Sequence, residues 1–127
     1  MRSIPILLLA LILVSCGQKE VSYREQIQPI LTARCVPCHG PDLAYDKIRL
    51  GSFQELMSSR TRSGKQPLVT ARNLQESRLY VLASTSQSEF RMPPDTAHKT
   101  PLPKEELALL SRWILQGEAA VRSGAAV

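Results

Sequence analysis

The sequence has few of the features that large, membrane-embedded or nucleic-acid-binding proteins need. Its 127 residues include one Trp, three Tyr, two Phe and three Cys. The longest apolar run, Ile4 to Val14, is shorter than the roughly 20 apolar residues that cross a bilayer. Its Lys and Arg are scattered among acids, whereas a nucleic-acid-binding surface needs a basic stripe with interleaved aromatics. The composition therefore predicts one small domain that binds no nucleic acid, and it excludes multidomain enzymes and polytopic membrane proteins.

The N-terminus has the pattern of a secretion signal that ends in a cysteine. One positive charge, Arg2, precedes the apolar run, which closes in Leu13-Val14-Ser15-Cys16. This arrangement resembles a bacterial lipobox, in which Cys16 would be lipidated on sulfur and become the mature N-terminus. An ordinary signal peptide or an uncleaved anchor is the alternative. We predict a signal peptide over 1–15, a lipidated cysteine and tether over 16–22, a folded domain over 23–120 and a tail over 121–127.

Lipidation would place the domain on the periplasmic side of a bacterial membrane. Each buried acyl CH₂ contributes about 0.8 kcal/mol, so several chains would hold the domain firmly. Some Gram-negative lineages use Asp directly after the lipidated cysteine to retain a lipoprotein in the inner membrane. This chain has Gly17 at that position, which slightly favours the outer membrane. Because Arg2 would leave with the signal, the mature charge is 15 − 11 = +4.

The two remaining cysteines lie in Cys35-Val36-Pro37-Cys38-His39. The pattern C-x-x-C-H is typical of covalent haem attachment. Two thiols three positions apart, at the end of a helical turn, can each reach one vinyl group of the same porphyrin. The residue after the second Cys then lies beneath the iron, where an imidazole nitrogen can bind. We predict thioether bonds at Cys35 and Cys38, with His39 as the proximal iron ligand.

Three other uses of this motif remain open. A disulfide between Cys35 and Cys38 would close a tight, strained ring and stabilise almost nothing. A thioredoxin-like redox pair would suit the internal Pro37, but it requires βαβ patterning that is not visible around the motif. Zinc would need a second pair of ligands, and only His98 is left to supply one.

The rest of the chain reads as helices joined by loops, which predicts an all-α fold. Ser22-Tyr23-Arg24-Glu25 has the form of a capping box, and Pro29 suits the first turn of a continuous helix. A short helical run is expected over 53–57, and Asn73 is expected to start another that passes through Leu79. The clearest helix is 104–116, with its acids in the first turn and Gly117 as C-cap.

A sixth iron ligand is predicted at Met92. Pro93 and Pro94 follow it and would hold its loop rigidly over a planar cofactor, and a thioether is a soft ligand that raises the reduction potential. Burial as an ordinary hydrophobe is the alternative for Met92. His98 is the rival ligand and would give a low-potential bis-His haem, although it also reads as a solvent-exposed loop residue. Met57 lies in an apolar run and is expected in the core.

Taken in order, these motifs resemble a bacterial class I monohaem cytochrome c, and most of all the planctomycete-type cytochrome c domain. The resemblance runs from about Ile27 to Gly117. It is carried by Ile30-Leu31, Cys35-Val36-Pro37-Cys38-His39-Gly40, Arg49-Leu50, Pro67-Leu68-Val69, Glu76-Ser77-Arg78-Leu79, Arg91-Met92-Pro93-Pro94, Glu105-Glu106-Leu107-Ala108-Leu109-Leu110 and Trp113-Ile114.

The resemblance implies a small helical domain wrapped around one covalently bound haem c. It implies that the helix ending at Arg34 crosses the helix containing Trp113 beside the haem. It also implies Cys35 and Cys38 as attachments and His39 and Met92 as axial ligands.

We therefore expect an electron carrier rather than an enzyme, anchored to a membrane through Cys16. Its expected partners are redox proteins such as a respiratory complex, a dehydrogenase or an oxidase. Two alternatives stay open: a haem enzyme or gas sensor with a labile distal ligand, and an electron-transfer subunit of a larger oxidoreductase complex.

Overall fold

A computed structural model describes residues 17–95 and 101–117. The predicted signal peptide, Cys16, His98 and the C-terminal segment 118–127 lie outside these residues. The described elements are a π-helical turn, Tyr23–Ile27, a 3₁₀ turn, Tyr45–Lys47, and four α-helices. These are α1 (Gln28–Arg34), α2 (Phe53–Ser58), α3 (Arg78–Ser84) and α4 (Lys104–Gln116). Within the described ranges, β-type pairing of the backbone is limited to isolated bridges and forms no strand. This part of the fold is therefore helical, as expected.

The N-terminal helical segment begins at the predicted N-cap residue, Ser22, but its second capping hydrogen bond has a different partner from the one predicted. The hydroxyl of Ser22 accepts a hydrogen bond from the backbone N–H of Glu25, at 3.3 Å. The return bond from the Ser22 N–H goes to the side chain of Gln26 at 3.0 Å, and not to that of Glu25 as a capping box would have it. The wide π-helical turn brings the Gln26 amide back over the cap residue. Pro29, which lacks an N–H, then lies in the first turn of α1.

The helix predicted to start at Asn73 begins five residues later. The Asn73 side chain does accept a bond from the N–H of Glu76, at 3.1 Å, but this bond closes a turn. The buried Ser77 hydroxyl lies 2.6 Å from the Asn73 carbonyl oxygen and 3.0 Å from that of Thr70. These contacts bind 70–77 into a compact loop, and α3 starts only at Arg78. The prediction was wrong because a hydrogen bond from the N–H three residues later to an Asn side chain can close a turn as well as cap a helix.

The last helix has the predicted bounds. α4 runs from Lys104 to Gln116 and ends at Gly117, whose φ of 67° suits a residue without a side chain. A Cβ at this position would also lie 2.6 Å from Nε of Arg72. No described helix has both the length and the apolar character needed to cross a bilayer.

The core lies where the N-terminal segment packs on α4. Tyr23 contacts Trp113 with ring centroids 5.5 Å apart and meets Phe53 edge-on at 5.1 Å. Met57 is half-buried at the margin of this core rather than inside it. The buried apolar residues are Val21, Tyr23, Ile27, Ile30, Leu31, Leu50, Leu56, Leu68, Val69, Ala83, Leu102, Leu110, Trp113 and Ile114.

Polar contacts also join the N-terminal segment of the described chain to α4. The backbone N–H of Val21 donates to Oε1 of Gln116 at 2.6 Å, and Nε2 of Gln116 donates to the Val21 carbonyl at 3.1 Å. Arg34, at the end of α1, forms a two-bond ion pair with Glu106 of α4 at 3.1 and 3.2 Å. The N-terminal segment therefore packs on α4 mainly through the π-helical turn, while α1, which was expected to cross α4, meets it through the Arg34–Glu106 ion pair.

Candidate cofactor site

The C-x-x-C-H segment leaves α1 as a tight turn. The backbone N–H of Cys35 still bonds to the Leu31 carbonyl at 2.8 Å, which continues α1 by one residue. The N–H groups of Cys38 and His39 then bond to the Cys35 carbonyl at 3.1 and 2.8 Å. Both cysteines and His39 are half-buried. This turn therefore brings all three chemically reactive side chains to one edge of the core.

Two further backbone hydrogen bonds hold the C-terminal end of this turn. The His39 carbonyl accepts a bond from the N–H of Leu50 at 2.8 Å, and the Cys38 carbonyl accepts one from Tyr45 at 3.3 Å. Gly40 is buried, and a Cβ there would lie 2.5 Å from the carbonyl oxygen of Val36. Glycine is therefore required at this position by close approach of the backbone.

Met92 reaches the same region from a distant part of the chain. It lies in an irregular loop after α3, and its backbone N–H bonds to the Leu82 carbonyl at 3.0 Å. Pro93 is buried and Pro94 is half-buried, while the Met92 side chain is 41% exposed. Met92 is thus held through its backbone and is not packed into the core as an ordinary hydrophobe.

These segments enclose a cavity of about 350 Å³, within the size range of roughly 300–1,000 Å³ found for small-molecule and cofactor sites. Cys35, Cys38, His39 and Met92, predicted from the sequence as one site, all line it. Its other walls are largely apolar. The complete lining is Arg34, Cys35, Cys38, His39, Tyr45, Asp46, Ile48, Leu50, Leu68, Leu79, Leu82, Met92, Pro93 and Pro94.

Three charged or polar residues of the lining, Arg34, Tyr45 and Asp46, were not predicted from the sequence. Arg34 stands immediately before Cys35, and its hydrogen bonds to Glu106 raise the pKa of the guanidinium above its usual value. Tyr45 is 59% exposed at the rim. The adjacency of Arg34 to the motif was a visible signal. The position of Tyr45 depends on the bridge between His39 and Ala44, which the local sequence does not indicate.

Comparison with known families identifies this region. Residues 35–96 match the family model described as planctomycete cytochrome C. The chain contains a cytochrome c-like domain. The match begins at the first cysteine of the C-x-x-C-H motif and includes Met92, while α1 and α4 lie outside the matched residues. No match was found among curated proteins or solved structures.

A cytochrome c domain implies covalently bound haem c, and the residues of the cavity suit that group. Two thiols, an imidazole and a thioether are the donors that such a haem requires, and the remaining lining is mostly apolar. Nδ1 of His39 is buried and has no hydrogen-bond partner within the described residues.

Proposed function

We propose that the chain is a membrane-tethered electron carrier with one haem c. Cys35 and Cys38 would attach the porphyrin through thioether bonds, and His39 and Met92 would hold its iron. The observation that supports this most is the convergence of all four side chains on one apolar cavity, although Met92 is more than 50 residues from the motif in sequence.

The proposed ligand set favours a carrier over a catalyst. Bound haem supplies a reversible one-electron couple. With both His39 and Met92 holding its iron, the haem would offer no position to a substrate or a gas. The thioether of Met92 is a soft donor that raises the reduction potential relative to a second histidine.

The proposed partners are redox proteins on the same side of the membrane, such as a dehydrogenase, a respiratory complex or an oxidase. Cytochrome c domains are typically extracytoplasmic, which agrees with a secretion signal at 1–15. Lipidation of Cys16 would hold the domain beside membrane-bound partners, at either the inner or the outer membrane.

The decisive experiment is a redox-difference absorption spectrum of protein produced with cytochrome c maturation machinery. We expect a covalent haem spectrum and, in the oxidised protein, the far-red band that reports a thioether bound to iron. Met92→Ala should abolish this band. Met57→Ala, at a half-buried methionine outside the cavity, is the matched control and should keep it, as should His98→Ala.

Three results would overturn the proposal. Loss of the pigment on acid-acetone extraction would show that the haem is not covalently bound. Survival of the far-red band in Met92→Ala would show that another ligand is used. Ready binding of CO by the native reduced protein would show a labile distal position and would favour a haem enzyme or gas sensor.

A further inference from the structure

An ion pair spans the segment that carries Met92. Arg91 directly precedes this methionine, and Asp95 follows the two prolines. Nη2 of Arg91 lies 2.7 and 2.8 Å from the two carboxylate oxygens of Asp95. The pair therefore closes a ring of five residues, with Met92, Pro93 and Pro94 between its two ends.

In this pair the arginine is buried and the carboxylate is not. The Arg91 side chain is 17% exposed and that of Asp95 is 50% exposed, and Nε of Arg91 is buried with no hydrogen-bond partner within the described residues. In the pair between Arg62 and Asp46, by contrast, the arginine is 86% exposed and the N–O distance is 3.5 Å. A largely buried guanidinium depends on its carboxylate, because removing the partner leaves an uncompensated charge.

Among the described residues, the backbone hydrogen bonds of the loop lie at its N-terminal side and at Met92 itself. The Arg91 N–H bonds to the Gln87 carbonyl at 3.1 Å, and the Met92 N–H bonds to Leu82 of α3 at 3.0 Å. Asp95, on the other side of Met92, is held by Arg91. Since the Met92 side chain is itself 41% exposed, its position depends on these backbone and ion-pair contacts more than on packing.

We propose that the Arg91–Asp95 ion pair is a brace that positions Met92 against the haem iron. Arg91 and Asp95 are positioning residues that make no bond to the metal and act through the backbone of the Met92 loop. This assignment depends on the proposed function, because Met92 must first be the axial ligand. The brace determines how readily an external ligand can displace the thioether.

The test is a spectroscopic titration of the oxidised, haem-loaded protein with imidazole, which competes with Met92 for the iron. Asp95→Asn should raise the apparent affinity for imidazole by about fivefold, because the Met92 thioether dissociates from the iron more often when the ion pair is absent. Arg91→Gln should change the affinity in the same direction. Asp95→Glu and Arg91→Lys, which keep the charges, should remain closer to wild type.

Glu89→Gln is the matched control, since it removes an exposed carboxylate from the same loop. Its imidazole affinity should equal that of wild type. Equal affinities in Asp95→Asn, Arg91→Gln and Glu89→Gln would overturn the brace while leaving the proposed function intact. If Met92→Ala keeps the far-red band, the proposed function fails instead. Titrations well below the unfolding temperature of each variant separate ligand positioning from a general loss of stability.

Discussion

Among single residues, Tyr23 shows how burial changes the titration of an ionisable group. The side chain is 2% exposed, and its hydroxyl has no hydrogen-bond partner within the described residues. Burial, with a smaller contribution from the charge of Glu55, raises the pKa of Tyr23 to about 12. The ring contributes to the core through Trp113 and Phe53, whereas the hydroxyl contributes an unsatisfied polar group.

The raised pKa predicts a loss of stability in alkali. The folded state keeps the phenol proton up to a pH near 12, while the unfolded chain loses it near 10. Above pH 10 the unfolded state therefore binds fewer protons, and the free energy of unfolding falls as the pH rises towards 12. By pH 11 the Tyr23 contribution to this fall should be about 1 kcal/mol.

Urea unfolding of wild type and Tyr23→Phe at pH 7, 9 and 11 measures this contribution. At pH 7 Tyr23→Phe should be at least as stable as wild type, because Phe keeps the ring and removes a hydroxyl that is buried without a partner within the described residues. The advantage of Tyr23→Phe should grow above pH 10. A difference between the two proteins that is constant from pH 7 to pH 11 would show that the phenol does not titrate in this way.

Among the local elements, the turn from Cys35 to Gly40 determines the geometry of the cofactor site. Its backbone is held by α1 on one side and by Leu50 on the other. Glycine at position 40 allows both sets of hydrogen bonds to form, because its missing Cβ leaves room for the Val36 carbonyl. The turn therefore tolerates little change at its end, although Gly40 makes no contact with the cavity.

Gly40→Ala should destabilise the haem-loaded protein by about 1–3 kcal/mol, since the new methyl group must displace the backbone of the turn. The measurement is the free energy of unfolding in urea. Gly17→Ala is the control, because a Cβ at Gly17 would meet no atom within 4 Å. Equal stabilities of the two variants would contradict the close approach at Gly40.

At the scale of the whole molecule, the fold begins very close to its predicted lipid anchor. Val21 is buried and hydrogen-bonded to Gln116 at the end of α4, whereas residues 17–20 are exposed. Val21 lies five positions after Cys16, and an extended chain of that length spans at most roughly 18 Å. A lipid on Cys16 would therefore keep the domain close to the membrane surface.

Cys16→Ala should release the protein from the membrane fraction without changing its haem spectrum, because the cavity is built from other residues. The measurement is the partition of haem-stained protein between membrane and soluble fractions in a bacterial host that lipidates secreted proteins. A high-salt wash of wild type serves as control, since it removes protein held only by its positive charge. Retention of Cys16→Ala in washed membranes would contradict the lipid anchor.

Local patterns were enough to predict the helical class, the bounds of α4 and the four side chains that meet in the cavity. C-x-x-C-H carries its own chemistry at a fixed spacing, and Met92 stands out through the two prolines that follow it. Asn73 shows where local patterns fail, since its capping bond closes a turn that Ser77 then stabilises. Short hydrogen bonds of this kind are shared by several backbone conformations, so tertiary contacts choose between them.

The sequence by itself determined which groups are available to hold a haem, because thiols, imidazole and thioether are properties of residue type and spacing. Only the tertiary structure brought Met92 across to His39, paired Arg34 with Glu106 and buried Arg91 against Asp95. These arrangements join residues through the packing of α1, α3 and α4 and the course of the loops between them. No local periodicity encodes such contacts, since their geometry is set by how apolar faces far apart in sequence are buried together.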